Sequence, residues 1–206
     1  IGISDYKRAS RDYYYVDKSL LIRDILDDRS QVMLFTRPRR FGKTLNMDML
    51  RVFFEKSQED TSVYFKDKKI WKCGERYQEY QGKYPVIFVT FKDVKYRTWE
   101  DVFAKLRKIF ADEAYRHVEL RESDKCSAVD KQYFEKMLSL EMNLVDLADS
   151  FVVLSRMLHA HHGVAPIIIV DEYDIPIQQG YMNGYYDEAV TFIRNLFSGG
   201  FKDNSH

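Results

Sequence analysis

The stretch that most constrains the fold is residues 31–44, which read QVMLFTRPRRFGKT. An apolar run is followed by a basic turn, and Gly42, Lys43 and Thr44 then open a segment with helical spacing of its apolar residues. This order predicts a strand over 31–36, a loop, and a helix that begins at about Lys43. Backbone N–H groups, an ammonium and a hydroxyl meet at the start of that helix, where phosphate is favoured.

The loop departs from the usual phosphate-binding pattern at one position. That pattern is G-x-x-x-x-G-K-[ST]; here Gly42, Lys43 and Thr44 match, but Arg37 stands where the first glycine belongs. In a triphosphate site Lys43 would neutralise phosphate oxygens and the Thr44 hydroxyl would ligate Mg²⁺. The alternative is an ordinary helix start with a solvated Lys43, which leaves the nearby arginines unexplained.

Those arginines make the loop strongly basic, with Arg37, Arg39 and Arg40 close together in the sequence. They can contact phosphates, sense a γ-phosphate as arginine fingers do, or form fixed ion pairs with carboxylates across the site. The sequence leaves these roles open.

A second motif lies far downstream, where residues 167–172 read IIIVDE. The continuous apolar run predicts a buried strand with two carboxylates at its end. In a Walker B arrangement Asp171 holds the Mg²⁺ shell and Glu172 polarises the attacking water as general base. The alternative is that both carboxylates merely cap the next turn. Asp174 belongs either to the outer coordination shell of the metal or to a turn before Pro176.

Apolar patterns along the rest of the chain predict the fold class. Residues 85–91 predict a second buried strand. Further helices are expected over about 17–28, 128–140 and 143–160, after Thr98 and from about Tyr185. Strands alternating with helices predict one α/β domain over 1–206, with a mostly parallel sheet flanked by helices on both faces. Ligands bind at the carboxyl ends of such strands, where both motifs lie.

Composition narrows the class of protein further. Lys+Arg and Asp+Glu number 32 each among 206 residues, so the formal charge is zero and no overall field draws the chain to nucleic acid. No run approaches the roughly 18 apolar residues of a membrane helix. Cys73 and Cys126 have no metal or redox spacing, which suits a reducing compartment. These features predict a cytoplasmic protein without a membrane partner.

Three histidines near residue 160 raise the question of a metal site. His159, His161 and His162 immediately precede Gly163. Histidine suits the negative end of a helix dipole, and no carboxylate or cysteine lies at ligand spacing. We therefore favour a helix end over a metal centre.

With these residues in place, the chain resembles the bacterial AAA-ATPase-like family of P-loop NTPases. The likeness covers nearly the whole chain, and the family has the same replacement of the usual glycine by arginine and proline. The matching signatures are Tyr15-Val16-Asp17-Lys18-Ser19, Arg37-Pro38-Arg39-Arg40-Phe41-Gly42-Lys43-Thr44, Pro85-Val86-Ile87 and Val170-Asp171-Glu172-Tyr173-Asp174.

The resemblance implies an ATP-binding domain that uses Mg²⁺ and hydrolyses ATP. Thr44 and Asp171 are the implied metal ligands, while Lys43 and Glu172 are the implied catalytic residues. The implied nucleotide-binding residues are Val16, Asp17, Arg39, Arg40, Phe41, Gly42, Lys43, Thr44 and Leu45. The preference for ATP over GTP comes from the resemblance alone.

The family pattern also continues beyond what this chain contains. After a segment like Phe197-Ser198 it has a strand with a polar sensor residue, and a nuclease-like domain often follows. We therefore expect a partial domain, incomplete at its C-terminal side. Two classes of function stay open: an ATPase that switches or drives a partner, and a non-hydrolysing nucleotide-binding regulatory or scaffold module. A link to a nuclease or to nucleic acid is a third possibility.

Overall fold

A computed structural model describes residues 4–28, 30–36 and 41–202 of the chain. Two compact units make up the chain, Ile1–Val86 and Ile87–His206. The single domain expected over 1–206 stays a prediction.

Helices form the regular structure of the first unit. The described elements are α1 (Tyr6–Asp12), α2 (Leu20–Asp28), α3 (Lys43–Phe54), α4 (Glu75–Gln78) and two 3₁₀ helices at Thr61–Tyr64 and Lys69–Cys73. The helices predicted near residues 17 and 43 are thus confirmed as α2 and α3. The sequence analysis did not predict α1, since a helix this short, which buries only Tyr6 and Ala9, gives a weak periodic signal.

The core of the first unit forms around α3 and aromatic side chains. Phe53 and Phe65 are fully buried and meet edge to face, with ring centroids 5.1 Å apart. Tyr6 stacks on Phe65 at 5.2 Å. The Tyr6 N–H donates to the buried Asp48 carboxylate at 2.7 Å, which fixes α1 to α3. Both the apolar contact and the hydrogen bond therefore hold the helix that begins at Lys43.

Residues 31–36 do not form the predicted strand. The side chains of Val32 and Leu34 are 55% and 66% exposed. In the described part of the chain no segment pairs with these residues. A strand exists only where a neighbour binds its N–H and C=O groups, and apolar composition cannot supply that neighbour. The prediction of a strand before the loop is therefore wrong.

The second unit contains a parallel pair of strands surrounded by helices. Its elements are β1 (Val86–Thr90), α5 (Trp99–Arg116), α6 (Ala128–Leu138), α7 (Leu144–Ala148), α8 (Ser150–His162), β2 (Ile167–Asp171), α9 (Ile175–Asn183) and α10 (Tyr186–Phe197), with a 3₁₀ helix at Val118–Glu122 and a π-helical turn at Ser198–Lys202. Both predicted strands here are confirmed. The sheet of the described residues has the order β1–β2, which is consistent with an α/β fold. The wider P-loop sheet stays a prediction.

Two features of these helices differ from the sequence analysis. The helix predicted over 143–160 is divided at Asp149, which leaves helical geometry with φ −88° and ψ 1°. The sequence pattern also does not predict α9, because Pro176 and Gly180 are typical of turns. Pro176 lies in the first turn, where no N–H is needed. Gly180 is required by packing, since a Cβ there would lie 3.0 Å from the Tyr185 carbonyl oxygen.

The core of the second unit lies between the strands and the long helices. Its fully buried side chains include Ile87, Leu106, Phe110, Phe151 and Leu154. Phe110 of α5 meets Phe151 of α8 with ring centroids 5.3 Å apart. In the described residues no helix is both long and apolar enough to cross a bilayer.

Candidate functional site

The start of α3 has one feature of a phosphate loop, a left-handed glycine before a helix whose first N–H groups are not capped by any described side chain. Gly42 precedes the helix with φ 77° and ψ 23°, a left-handed conformation that costs residues with a Cβ about 1–2 kcal/mol. The first helical hydrogen bond runs from Asn46 N–H to Gly42 O at 3.0 Å. The N–H groups of Lys43, Thr44 and Leu45 therefore precede the helical ladder, and no described side chain caps them.

These amides lie at the positive end of the α3 dipole, a place that stabilises anions. Lys43, Thr44 and Leu45 are half-buried, while Phe41 is 57% exposed. These residues are therefore partly accessible to solvent. The predicted Arg39 and Arg40 lie outside the described residues, as does Arg37.

Asp17, expected near the adenine, uses both carboxylate oxygens in holding the local fold. Oδ1 accepts the Ser19 N–H and Oδ2 accepts the Lys69 N–H, each at 2.8 Å. Burial raises the pKa of Asp17, but these hydrogen bonds outweigh it and leave the pKa below its ordinary value. Val16 beside it is 60% exposed and so is accessible to a ligand. Contact of either residue with adenine stays a prediction.

In the second unit, Asp171 is a buried carboxylate with an unsatisfied oxygen. It is the last residue of β2 and is 4% exposed. Its carbonyl oxygen accepts the Phe91 N–H at 3.0 Å, but its Oδ2 has no hydrogen-bond partner among the described residues. An unsatisfied buried oxygen of this kind costs about 1–3 kcal/mol. A cation or a hydrogen-bond donor would offset this cost.

The next residue, Glu172, has a strained backbone. Its φ is 56°, a left-handed value that costs a residue with a side chain about 1–2 kcal/mol. The Glu172 carbonyl oxygen accepts the Ile175 N–H at 3.1 Å, so the turn leads directly into α9. Such strain persists where the surrounding structure requires that direction of the chain.

Asp174 and the histidines lie at helix ends. The Asp174 carboxylate accepts a hydrogen bond from Gln178 Nε2 at 2.5 Å at the start of α9, in line with the turn interpretation. His159 belongs to the last turn of α8, and the Gly163 N–H donates to its carbonyl oxygen at 2.8 Å. The helix-end interpretation of the histidines is thus confirmed. In the described residues no three His, Cys, Asp or Glu side chains form a group that could hold a metal.

A Mg²⁺ ion at a phosphate loop does not need such a group. It is held by one or two protein oxygens, by phosphate oxygens and by water. The Thr44 hydroxyl and the unsatisfied Asp171 oxygen therefore fit the donor set of this metal. Lys43 and Thr44 belong to the first unit, whereas Asp171 and Glu172 belong to the second. A site that uses all four residues stays a prediction.

Sequence reasoning missed one residue beside the loop. Lys18 Nζ donates to the Phe41 carbonyl oxygen at 3.3 Å. Lys18 belongs to a segment that resembles a signature of the family. No spacing rule, however, connects this segment with a loop more than twenty residues away. Only the folded chain brings them together.

Comparison with known proteins gives the same family as the resemblance of the sequence motifs. The model of the AAA-ATPase-like family, described as "Predicted AAA-ATPase", matches residues 1–206. A curated relative, the "Uncharacterized protein in vnfD 5'region" of Azotobacter chroococcum mcd 1, is 26% identical over 202 residues. The match covers 96% of this chain but 33% of that relative's length. No solved structure matches.

Proposed function

Since this chain belongs to the AAA-ATPase-like family, we propose that it binds ATP with Mg²⁺ and hydrolyses it to switch or drive a partner. The observation that carries this proposal is the start of α3, where left-handed Gly42 precedes Lys43 and Thr44. Three N–H groups ahead of the helical ladder, one ammonium and one hydroxyl are the groups that bind a polyphosphate.

The phosphate end of the nucleotide is assigned to the first unit. The amides of Lys43, Thr44 and Leu45 donate to phosphate oxygens. The Lys43 ammonium neutralises charge on the β- and γ-phosphates, where negative charge develops during transfer. Arg37, Arg39 and Arg40 are assigned to the same phosphates, because they add positive charge to the loop.

Thr44 and Asp171 are assigned as the residues that would hold the metal. Bound Mg²⁺ would screen the negative charge of the β- and γ-phosphate oxygens and so favour attack of water on the γ-phosphorus. Asp171 is suited to this assignment because it is buried and one of its oxygens has no other partner among the described residues. A buried carboxylate is stable as an anion only when a cation or hydrogen-bond donors compensate its charge.

Glu172 is assigned the general base. It accepts a proton from the water that attacks the γ-phosphorus, and the bond from that phosphorus to the β–γ bridging oxygen breaks to give ADP and phosphate. The strained Glu172 backbone supports a functional assignment, because strain of this kind is concentrated at sites where a side chain must take a fixed direction. The partner and the pathway are proposals for the whole protein. This chain spans 33% of the length of its curated relative.

Calorimetry of ATP binding, with and without Mg²⁺, tests the proposal. We expect Lys43→Ala to weaken ATP binding at least about tenfold under both conditions, because it removes a cation from the phosphates. Asp171→Asn should remove the increase in ATP affinity that Mg²⁺ produces, while the affinity for ATP without metal stays the same. Glu172→Gln should bind ATP as the wild type does and release no phosphate.

The controls separate binding from hydrolysis. Lys83→Met, at an exposed lysine of the first unit, should behave as wild type. A wild-type chain that binds no ATP refutes the proposal. A wild-type chain that binds ATP but releases no phosphate instead supports the non-hydrolysing regulatory module.

A further inference from the structure

Lys18 contacts the phosphate loop from the side of α2. Its Nζ donates to the Phe41 carbonyl oxygen at 3.3 Å, and a Cβ built on Gly42 would lie 3.6 Å from the same nitrogen. In the described part of the chain its side-chain partner is therefore a backbone carbonyl of the loop. A lysine held by a surface ion pair would have a carboxylate there instead.

The backbone on both sides of Lys18 is fixed. Asp17 accepts hydrogen bonds from the Ser19 and Lys69 N–H groups, each at 2.8 Å. Ser19 is fully buried, and its hydroxyl accepts the Ile70 N–H at 3.1 Å. These bonds tie the segment to the 3₁₀ helix at Lys69–Cys73. The base of the Lys18 side chain is thus held in place, which limits the directions that the flexible stem can take.

The peptide that Lys18 contacts is one that could easily turn over. Gly42 adopts positive and negative φ with similar ease, so the Phe41–Gly42 peptide has little intrinsic preference for one orientation. No described peptide is cis, and in a planar trans peptide the C=O and the N–H point in opposite directions. Holding the Phe41 oxygen therefore also fixes the direction of the Gly42 N–H.

This direction matters for an anion at the start of α3. If the peptide turned over, a carbonyl oxygen would replace the Gly42 N–H beside the phosphates and would repel them. We propose that Lys18 is a positioning residue for phosphate binding, because it holds the Phe41 oxygen and so keeps the Gly42 N–H directed to the polyphosphate. The inference rests on the proposed function, and the ligand class is nucleoside di- and triphosphates.

The test compares Lys18→Met, which cannot hold the carbonyl, with Lys18→Arg, which can. Calorimetry with ATP and with ADP, both with Mg²⁺, should show about tenfold weaker binding for Lys18→Met. Lys18→Arg should recover most of that loss, since a guanidinium also donates to a carbonyl. Lys83→Met serves as the matched control and should keep wild-type affinity.

Stability without nucleotide distinguishes positioning from a structural role. Lys18 is exposed, so we expect all three variants to unfold at the wild-type midpoint when no nucleotide is present. Wild-type affinity in Lys18→Met overturns the inference. Equal losses in the Met and Arg variants, or a lowered midpoint of Lys18→Met, overturn it as well.

Lys43→Ala, measured in parallel, separates this inference from the proposed function. If the wild type binds ATP and Lys43→Ala binds it at least about tenfold more weakly, the proposed function stands and the Lys18 variants decide the inference alone. If the wild type binds neither nucleotide, both are refuted.

Discussion

At the scale of single residues, the two motifs share an unusual backbone conformation. Gly42 has φ 77° and Glu172 has φ 56°. Glycine adopts this region without steric cost, whereas glutamate loses about 1–2 kcal/mol of stability there. The first motif thus has a residue suited to its backbone, whereas the second has a residue that is strained there.

Replacing Glu172 by glycine should therefore stabilise the fold while removing the proposed activity. We expect Glu172→Gly to raise the free energy of unfolding by up to about 1 kcal/mol, since relief of strain exceeds the added entropy of the unfolded chain. Phosphate release should fall to background because no carboxylate remains to accept the proton. Denaturant unfolding and a phosphate-release assay measure the two effects.

Leu140 provides the matched control for this prediction. It has φ 64° and is 45% exposed. Leu140→Gly should give a similar gain in stability with unchanged phosphate release. A loss of turnover in Leu140→Gly, or a loss of stability in Glu172→Gly, would contradict the argument.

At the scale of elements, a buried ion pair joins α5 to β1. Glu113 lies in the last turn of α5 and His117 directly follows the helix, with His117 Nε2 and Glu113 Oε1 separated by 3.4 Å. Glu113 Oε1 also accepts the Phe88 N–H of β1 at 2.8 Å. Burial lowers the pKa of His117, but hydrogen bonds with Glu113 and Glu119 outweigh it and raise the pKa to about 9.

This raised pKa predicts a loss of stability in alkaline solution. The folded chain keeps the His117 proton up to about pH 9, whereas an ordinary histidine, with a pKa of 6.5, loses it earlier. The contribution is thus fully present below about pH 6.5 and is lost as the pH rises through about 9. The free energy of unfolding should fall by at most about 3 kcal/mol over this window.

Urea unfolding between pH 6 and pH 10 measures this effect in the wild type and in His117→Gln. The variant should be less stable at pH 6, because the buried Glu113 loses one of its two charged partners among the described residues and keeps only Arg116. Its stability should also vary less with pH over the window. If the free energy of unfolding varies with pH in parallel for the two proteins, a group other than His117 causes the pH dependence.

The elements also differ in how far their sequences determine them. Thr98 accepts the Asp101 N–H at 3.2 Å and so caps α5, the helix that the sequence predicts after Thr98. Strong helical periodicity likewise predicts α3. In contrast, residues 31–36 have the apolar content of a strand but no described partner, and Gly180 lies within α9 for a packing reason. Local signals determine helices well, whereas strand pairing and close packing depend on distant residues.

At the scale of the whole molecule, the candidate residues are divided between the two units. Lys43 and Thr44 belong to the first, and Asp171 and Glu172 belong to the second. The proposed function requires nucleotide and metal to act on both groups of residues. Binding should therefore leave a signature in each unit.

Hydrogen exchange detects this signature. With ATP alone, we expect slower exchange at the amides of Lys43 to Leu45, because phosphate oxygens accept hydrogen bonds from them. With ATP and Mg²⁺, the slowing should extend to the end of β2 around Asp171. In Lys43→Ala both responses should weaken together. Slowing confined to the first unit with Mg²⁺ present would refute the assignment of the metal to Asp171.

By itself, the sequence determined the family, the helices with strong periodicity, the two apolar runs that form β1 and β2, and the residue types of the candidate site. These follow from short-range patterns, in which spacing and capping act over a few residues. The tertiary structure decided which apolar run lacks a described strand partner, which Asp171 oxygen is left unsatisfied, and that Lys18 reaches the Phe41 carbonyl. Such features depend on side chains far apart in the chain, whose contacts arise only when burial and hydrogen bonding are satisfied throughout the fold.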